Sequence, residues 1–398
     1  MKEKIRELSG SYQHAICDFL SDMINIPSTS CHEKEVAYRI VEEMERLGYD
    51  DVRIDGLGNV IGRIGDGFRS LAFDGHIDTV DVGNRELWQF DPYDARIENG
   101  YIRGRGSVDQ KGAVASMVYA GKIMKELSLS HDFKIYFTAT VMEEDCDGLC
   151  WQYLIEKEKL APDYVVITEP TNLGVYLGQR GRMEMTVSIS GLSAHASAPE
   201  RGINAIYEMM SIVQQIEKLN ESLKVDPSLG KGSIAVTQIK SNSPSLCAIP
   251  DWCSIHLDRR LTWGESKESA LAEIEALISN QNAKIELLQY NEKSYTGLSY
   301  PTEKFYPTWK LETDHILIRA AIANYENLFN STPRVDKWTF STNGVAICGM
   351  KGIPCVGFGP GDEAMAHAPN EKIPIEHLVK ACEFYAAFPE TLSNYISS

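Results

Sequence analysis

Residues 73–80, FDGHIDTV, decide the fold of this chain, because an apolar strand there leads directly into polar residues. We predict a short strand over 70–74 that ends at Asp74 and delivers His76 and Asp78 just past its carboxyl end. Open α/β sheets bind their ligands at that edge. A neutral imidazole is a good metal ligand, and a carboxylate two residues away can orient it. Because His-x-Asp is common by chance, the pattern needs support from elsewhere in the chain.

Strands and helices alternate around this segment. Short β-branched or aromatic runs predict strands over 59–64, 133–141 and 164–168, and apolar periodicity predicts a helix over 111–127. Two amphipathic helices open the chain, one with apolar residues from 8 to 23 and one that ends before Gly48. This alternation indicates an α/β sheet.

A different rhythm begins near Met183. A compact α+β unit is predicted there, with strands over 183–190, 232–239, 253–259 and 283–289 and helices over 204–219 and 267–279. The stretch 291–309, rich in Tyr, Pro, Thr and Gly, is typical of a linker. It precedes a helix, a strand and a helix over 312–329, 354–358 and 375–388. We therefore expect a domain of residues 1–182 and 296–398, interrupted by a second domain of residues 183–295.

The composition restricts the possible functions. The chain has 398 residues, 43% of them hydrophobic, which is enough for two or three domains with real cores. Lys and Arg total 39 against 56 Asp and Glu, and the resulting charge of -17 repels nucleic acid. No apolar run approaches the roughly 18 residues that cross a bilayer, and the first 20 residues lack the apolar core of a secretory signal. Nine cysteines without framework spacing suit a reducing compartment, so we expect a cytoplasmic protein that binds neither nucleic acid nor membranes.

The glycine-rich segment GRGSVDQKG, residues 104–112, places Asp109 just before a predicted helix. A phosphate cradle is disfavoured, because Asp109 stands where the third glycine of G-x-G-x-x-G belongs and its charge would repel a phosphate. A helix cap and a metal ligand are the other two interpretations of Asp109.

The segment ATVMEEDCDG, residues 139–148, puts four carboxylates at the end of a predicted strand: Glu143, Glu144, Asp145 and Asp147. Such charges repel one another unless solvent or a cation neutralises them. One interpretation is a solvated loop. In the other, one of the adjacent glutamates binds a metal and its neighbour accepts a proton from water.

Two further segments carry single candidates, Glu169 in VVITEPT and His367 in AHAPNEKI. The possible ligands are then His76, Asp109, Glu144, Glu169 and His367. Two imidazoles and three carboxylates suit zinc, cobalt or manganese. One shared carboxylate, with one His and one carboxylate for each ion, would hold two ions about 3.5 to 4 Å apart. No H-E-x-x-H occurs, which excludes the single-zinc helical protease site.

The order and context of these segments resemble the co-catalytic zinc metallopeptidase family of carboxypeptidase G, acetylornithine deacetylase, succinyl-diaminopimelate desuccinylase and aminoacylase. The resemblance extends from about Ser11 to Pro389. It implies a mixed-sheet, zinc exopeptidase-like catalytic domain interrupted by a ferredoxin-like lid and dimerisation domain. It also implies two divalent metal ions per subunit, with zinc expected and cobalt or manganese as alternatives. The chain resembles in particular a branch described as selenium-metabolism-linked hydrolases, whose substrate the motifs do not disclose.

The resemblance also implies roles for single residues. Asp109 would bridge the two ions, Glu169 would hold the second, and His367 would complete the first. His76 and Glu144 would be the remaining ligands.

The implied catalytic residues come from three segments. Glu143 would be the general base and Asp78 a catalytic orienting residue. His195, in the SAHAS loop of the inserted domain, would polarise the scissile carbonyl across a homodimer.

Candidates for substrate binding are less specific. Arg180 in GQRGR and Arg260 in LDRRLT could grip a substrate carboxylate in a forked geometry, and ordinary ion-pairing arginines are the alternative. Asn343 and Gly344 could contact the same carboxylate. Their segment, WTFSTNGVAI, lacks the Thr-Asp-Ala-Arg type pattern common in the family, which leaves specificity open.

The leading hypothesis is a dinuclear zinc hydrolase that deacylates an N-acyl amino acid or a related amide. A di- or tripeptidase or carboxypeptidase would need the same site, and a non-catalytic metal-binding or regulatory protein is the alternative of a different class. The helix over 204–219 could form a two-fold dimer interface. Cys146 and Cys150 stand four apart, too few cysteines for a zinc site, so we interpret them as packing residues.

Overall fold

The computed structural model describes residues 1–129, 132–279 and 282–397. The helices of these ranges are α1 (Lys2–Ser11), α2 (Gln13–Ile24), α3 (Lys34–Arg46), α4 (Lys111–Leu127), α5 (Leu149–Glu156), α6 (Ala205–Ser222), α7 (Lys267–Ile278), α8 (Ile316–Phe329) and α9 (Ile375–Ser397). The strands are β1 (Asp51–Ile54), β2 (Val60–Ile64), β3 (Arg69–His76), β4 (Arg96–Glu98), β5 (Tyr101–Arg103), β6 (Phe133–Thr140), β7 (Tyr164–Ile167), β8 (Val175–Gln179), β9 (Gly181–Ser190), β10 (Val225–Asp226), β11 (Gly230–Lys231), β12 (Ser233–Asn242), β13 (Trp252–Leu261), β14 (Ala283–Leu287), β15 (Gln289–Tyr290), β16 (Thr302–Glu303), β17 (Phe305–Tyr306), β18 (Trp309–Lys310), β19 (Val335–Trp338), β20 (Cys355–Gly357) and β21 (Lys372–Pro374). Within the described ranges, none of the helices has an apolar stretch long enough to span a bilayer.

A nine-stranded mixed sheet forms the larger part of the protein, in the order β1-β2-β6-β3-β7-β20-β8-β18 with β19 beside β8. The central strands β6, β3, β7 and β20 run parallel to one another. Parallel strands are usually buried on both faces, and Phe73 of β3 and Phe137 of β6 stack in this core with their ring centroids 5.4 Å apart. The mixed α/β architecture expected from the sequence is confirmed.

Helix α4 positions the functional edge of this sheet. It packs on β3 and β6 and against α2 and α9. Its first turn approaches β3 at Gly75, where a Cβ atom would lie 2.9 Å from Oε1 of Gln110. A Cβ at residue 75 would therefore displace the side chains of Gln110 and Val114 that α4 packs against the end of β3.

A second, five-stranded antiparallel sheet has the order β12-β13-β9-β14 with β17 beside β9. Alternate residues of β9, from Met183 to Ile189, are buried in a separate core with α6 and α7. The element order β9-α6-β12-β13-α7-β14 is the β-α-β-β-α-β order of ferredoxin-like units. The sheet begins at Gly181 and takes in β17, so it draws on chain outside the predicted range 183–295.

The structure corrects the sequence expectations at three places. The first predicted helix is two helices, α1 and α2, because the chain breaks at Tyr12 after the weak helix formers Gly10 and Ser11. Strand β3 does not end at Asp74 but continues to His76, which pairs with Thr140 of β6. The predicted linker 291–309 contains β16, which pairs with β15, as well as β17 and the start of β18, which add to the five-stranded and the nine-stranded sheet.

Candidate metal centre and active site

The carboxyl ends of three parallel strands bring the predicted segments to one edge of the large sheet. His76 ends β3, the acidic loop follows β6, and Glu169 comes two residues after β7. Asp109 precedes α4, and His367 lies in the loop after β20. The candidate side chains line one cavity of ≈ 310 Å³: His76, Asp109, Glu143, Glu144, Glu169 and His367.

Asp109 lies between the two imidazoles. Its Oδ1 is 2.9 Å from Nε2 of His76, and its Oδ2 is 3.3 Å from Nε2 of His367. The carboxylate does not cap α4, whose N-cap residue is Gln110. The helix-cap interpretation of Asp109 is therefore wrong, and the shared position is the one that a bridging carboxylate needs.

The hydrogen bonds of His76 fix which nitrogen is available. Nδ1 lies 2.9 Å from the backbone carbonyl of Asp78, which can only accept, so Nδ1 carries the hydrogen. Nε2 then faces two carboxylates, Asp109 at 2.9 Å and Glu169 Oε1 at 3.5 Å. Burial would lower the pKa of His76, but these carboxylates hold it well above its ordinary value. Positive charge at Nε2, from a proton or a metal ion, is thus what the surroundings favour.

The acidic loop is buried, which contradicts its interpretation as a solvated segment. Only Asp145 of its four carboxylates is exposed. Burial raises the pKa of Glu143 and of Glu169 well above the ordinary range, and burial together with Asp109 raises that of Glu144 to about 7. One oxygen of each of these three side chains is buried without a hydrogen-bond partner among the described residues. Such oxygens are destabilising unless a cation or donor satisfies them.

The donor set fits a divalent metal ion. Ligand atoms of His76, Asp109 and Glu144 lie within 4.8 Å of one another, and so do those of His76, Glu143 and Glu169. His367 Nε2 lies 2.8 Å from Oε2 of Glu144. Imidazole nitrogens and carboxylate oxygens together suit zinc, cobalt or manganese.

Two carboxylates hold the turn that carries the acidic pair. Asp78 accepts hydrogen bonds from the backbone N–H groups of Glu143, at 3.2 Å, and Glu144, at 3.0 Å. Met142, in the left-handed region with φ of 61°, donates its N–H to Oε1 of Glu33 at 3.0 Å. A left-handed non-glycine residue is strained and persists where its surroundings hold it. Asp78 therefore orients the acidic pair through the backbone N–H groups of that pair, and it orients the imidazole of His76 through its backbone carbonyl, with its Oδ1 3.5 Å from the same Nδ1.

Sequence reasoning missed Glu33 and Glu371. Glu371 accepts hydrogen bonds from Arg105 Nη1 at 2.8 Å and from the N–H groups of Gly106, Val108 and Asp109 at 2.9, 2.7 and 3.1 Å. It ties the loop of Asp109 to the loop of His367. The sequence did contain a signal for Glu371, because Arg105 and Glu371 carry opposite charges within two motif segments. For Glu33 the sequence offered no signal beyond its place before α3.

The two predicted arginines differ in position. Arg260 lines the cavity, but its Nε and Nη2 donate to Asp258 at 2.7 and 3.1 Å. Arg180 is absent from the described lining and donates Nη1 to the carbonyl of Lys231 at 2.7 Å. Arg182, which sequence reasoning did not select, also lines the cavity.

Asn343 and Gly344 are also absent from that lining. The Asn343 amide donates to Asp74 Oδ2 at 2.9 Å and accepts from the N–H of Gly148 at 3.0 Å. Gly344 packs so closely on Trp309 that a Cβ would lie 2.4 Å from its indole nitrogen. Both positions support the end of the sheet, and the geometry offers no direct contact to a substrate.

His195 lies outside the cavity of the single chain. It is exposed in the loop between β9 and α6, where its Nδ1 accepts from the N–H of Ser197 at 3.1 Å. Cys146 and Cys150 are buried, and Cys150 Sγ donates to Asn343 Oδ1 at 3.0 Å. These contacts agree with a packing role for the two cysteines.

Comparison with known proteins identifies the family. The profile of Peptidase family M20/M25/M40 matches residues 72–391. The chain is 53% identical over 387 residues to a protein of Escherichia coli K12 named Uncharacterized protein YgeY, covering 97% of this chain and 96% of that one. It is 27% identical over 323 residues to acetylornithine deacetylase of Buchnera aphidicola, covering 79% and 78%.

A solved structure gives the same result for the fold. Aminopeptidase PepT of Bacillus cereus superimposes with a TM-score of 0.73 at 22% identity, over 96% of this chain and 99% of that one. The resemblance seen in the sequence motifs is confirmed. The chain belongs to Peptidase family M20/M25/M40 and is a metal-dependent hydrolase.

Proposed function

We propose that this protein hydrolyses an amide bond of a small substrate that carries a carboxylate, with two zinc ions and Glu143 as general base. The observation that carries the proposal is the cluster of two imidazoles and four carboxylates at one part of the cavity, where three buried carboxylate oxygens are unsatisfied among the described residues. Cobalt or manganese would fit the same donors.

We assign the ligands to two sets that share Asp109. His367, Glu144 and Asp109 would hold one ion, since His367 Nε2 lies 2.8 and 3.3 Å from the two carboxylates. His76, Glu169 and Asp109 would hold the other, with 3.5 and 2.9 Å from His76 Nε2. Metal ions bound by these residues would supply Lewis acidity, which makes water a nucleophile near neutral pH.

Glu143 would move the proton. It is assigned to neither set, although its Oε2 lies 3.9 Å from His76 Nε2 and its carboxylate lies within 4.8 Å of the ligand atoms of His76 and Glu169. Its carboxylate accepts the proton that water loses as it attacks the amide carbonyl, and then delivers that proton to the leaving amine. Asp78 holds the backbone of Glu143 and Glu144 so that the base and the adjacent ligand keep different directions.

The inserted domain would act as a lid and as a dimer interface. Edge strand β12 and helix α6 expose the apolar side chains of Ile239 (52%), Tyr207 (74%) and Met210 (44%). An isologous pairing of these surfaces would cover them. It would also provide a way for His195, which is not among the described lining residues of its own cavity, to reach the partner's cavity and stabilise the oxyanion of the substrate.

The test is hydrolysis of a panel of N-acyl amino acids and di- and tripeptides by zinc-loaded protein, with metal content measured in parallel. We expect Glu143→Gln to keep two metals per chain and to lose roughly 10²- to 10⁴-fold in turnover. Glu144→Gln should lose metal, whereas Asp145→Asn, in the exposed position of the same loop, serves as the control. Retained turnover in Glu143→Gln would refute the assignment, and the panel distinguishes a deacylase from a peptidase, for which the same site would serve.

A second variant tests the dimer. His195→Ala should lower turnover by roughly 10²- to 10³-fold, the effect of losing one oxyanion donor, without changing metal content. A mixture of inactive Glu143→Gln and inactive His195→Ala chains should regain activity, because some cavities then combine an intact base with an intact partner histidine. Failure of the mixture to regain activity in a dimer shown to exchange chains would exclude the role across the interface.

A further inference from the structure

The cavity extends beyond the candidate metal ligands. Its remaining wall is formed by Asp147, Arg182, Arg260, Phe340, Ser341, Glu363 and Ala366. A substrate whose amide lies at Glu143 must place another part of itself against this wall. The charges there therefore decide which substrates fit.

Asp147 is the buried acid of this wall. Its side chain is 6% exposed, and its Oδ2 has no hydrogen-bond partner in the described part of the chain. The nearest cation is Arg182, whose Nη1 lies 3.9 Å away, beyond hydrogen-bond distance. A buried carboxylate oxygen left in this state is destabilising until a donor reaches it.

The two arginines of the wall are already engaged. Arg182 donates to Glu184 at 2.5 Å and lies 3.4 Å from Asp258, which also receives both donors of Arg260. Their hydrogen bonds thus go to carboxylates of the inserted domain, although both charges also act on Asp147 and Nε of Arg182 has no hydrogen-bond partner among the described residues. Glu363, which lines the same cavity, contributes a second buried oxygen, Oε2, for which the described residues provide no partner.

We propose that Asp147 binds a positively charged nitrogen of the substrate, so that the enzyme prefers amides carrying an ammonium or guanidinium group. This inference rests on the proposed function, because it places that nitrogen in the cavity whose other end cleaves the amide. A charged N–H donor would satisfy Oδ2 of Asp147, with Glu363 lining the same end of the cavity. The alternative is that Asp147 only pairs with Arg182 to hold the wall together.

Two isosteric substrate pairs separate these possibilities. Nα-acetyl-ornithine and N-acetyl-norleucine differ only by ammonium against methyl on the amine side of the amide. β-Alanyl-leucine and butanoyl-leucine differ in the same way on the acyl side. We expect zinc-loaded wild type to prefer the ammonium member of at least one pair by roughly tenfold or more in kcat/KM, the effect of a hydrogen bond to a charged group.

Asp147→Asn should bring that ratio close to one, mainly through KM. The matched control is Glu184→Gln, which removes a different carboxylate from Arg182 outside the described lining of the cavity. A structural role for Asp147 would lower both members of a pair equally in Asp147→Asn and leave the ratio unchanged. Equal kcat/KM values within both pairs in the wild type, or an unchanged ratio in Asp147→Asn, would overturn the inference.

Failure of the proposed function looks different. If neither pair is cleaved, the same four compounds are titrated calorimetrically into zinc-loaded wild type and Asp147→Asn. Tighter binding of an ammonium member that Asp147→Asn abolishes supports the inference without any turnover. Equal dissociation constants within each pair, or no binding of either ammonium compound, overturn it.

Discussion

Two groups of buried carboxylates meet at the end of the large sheet, and they are built in opposite ways. Glu371 is fully buried and accepts four hydrogen bonds, one from Arg105 and three from backbone N–H groups. Glu143 and Glu169 are equally buried, but each keeps one oxygen without a partner among the described residues. Burial is common to both groups, whereas the supply of donors is not.

The comparison teaches how to distinguish a structural acid from a functional one. Donors that the fold supplies to a carboxylate offset part of the cost of burying it, and the carboxylate in turn stabilises the loops that supply them. A carboxylate that its fold leaves unsatisfied requires a ligand, and several together require a cation. The number of acidic residues in a segment would not have distinguished the structural Glu371 from the candidate ligand Glu169, since each is the single acidic residue of its motif segment.

The largest expected effect comes from removing Glu371, the carboxylate whose hydrogen bonds are satisfied. Glu371→Ala removes the acceptor of Arg105 and of three backbone donors, and should lower the free energy of unfolding by about 3–5 kcal/mol, as for other broken buried pairs. Because Glu371 also fixes the N–H of Asp109, zinc affinity should fall with it. Urea denaturation and zinc titration measure the two effects.

Glu376→Ala provides the control, since its ion pair with Lys380 is exposed on α9 and such pairs contribute less than about 1 kcal/mol. If Glu371→Ala were as mild as this control, the hydrogen-bond count at Glu371 would have no structural meaning. A loss of stability with unchanged zinc affinity would separate the fold of the loop from the metal centre.

The sequence predicted the ligand candidates better than their supports. Strand ends and residue type were sufficient to select His76, Glu169 and the acidic pair, because parallel strands deliver their ends to one edge. Contacts between distant segments, such as Glu33 with Met142, have no local signature. Asn343 was misplaced for the same reason: a polar residue near the site can face the cavity or the core, and only packing decides.

The next largest effect is expected when a metal ion binds the carboxylates whose oxygens are unsatisfied. Zinc at 100 times its dissociation constant should raise the free energy of unfolding by about 2.7 kcal/mol, since it binds the folded state only. The gain should shrink in Glu169→Gln, which removes one donor, and should be unchanged in the Glu376→Gln control. Thermal or urea unfolding with and without a chelator measures it. A metal-independent stability in the wild type would mean that the unsatisfied oxygens do not bind a cation.

The smallest effect concerns Glu33, which has one oxygen supplied with hydrogen-bond donors and one oxygen without a partner. Its Oε1 accepts from Cys31 and Met142, while its Oε2 is buried without a partner among the described residues. Burial, with Asp78 adding to it, raises the pKa of Glu33 to about 8 from an ordinary 4.5. Between these values the folded protein keeps a proton that the unfolded chain has lost, so this group makes stability fall as pH rises, and the loss is complete above pH 8.

Glu33→Gln keeps the acceptor for both N–H groups and removes the charge, so it cannot show this loss. The stability of Glu33→Gln relative to wild type should therefore increase between pH 5 and about 6.5, by on the order of 2 kcal/mol. Urea unfolding at several pH values measures the difference, with Glu35→Gln, exposed on the same helix, as the control. A difference independent of pH would mean that Glu33 is ionised at pH 5, and that two donors on one oxygen suffice to hold a charge. In that case the unsatisfied oxygens of Glu143 and Glu169 would owe their need for a cation to one another rather than to burial.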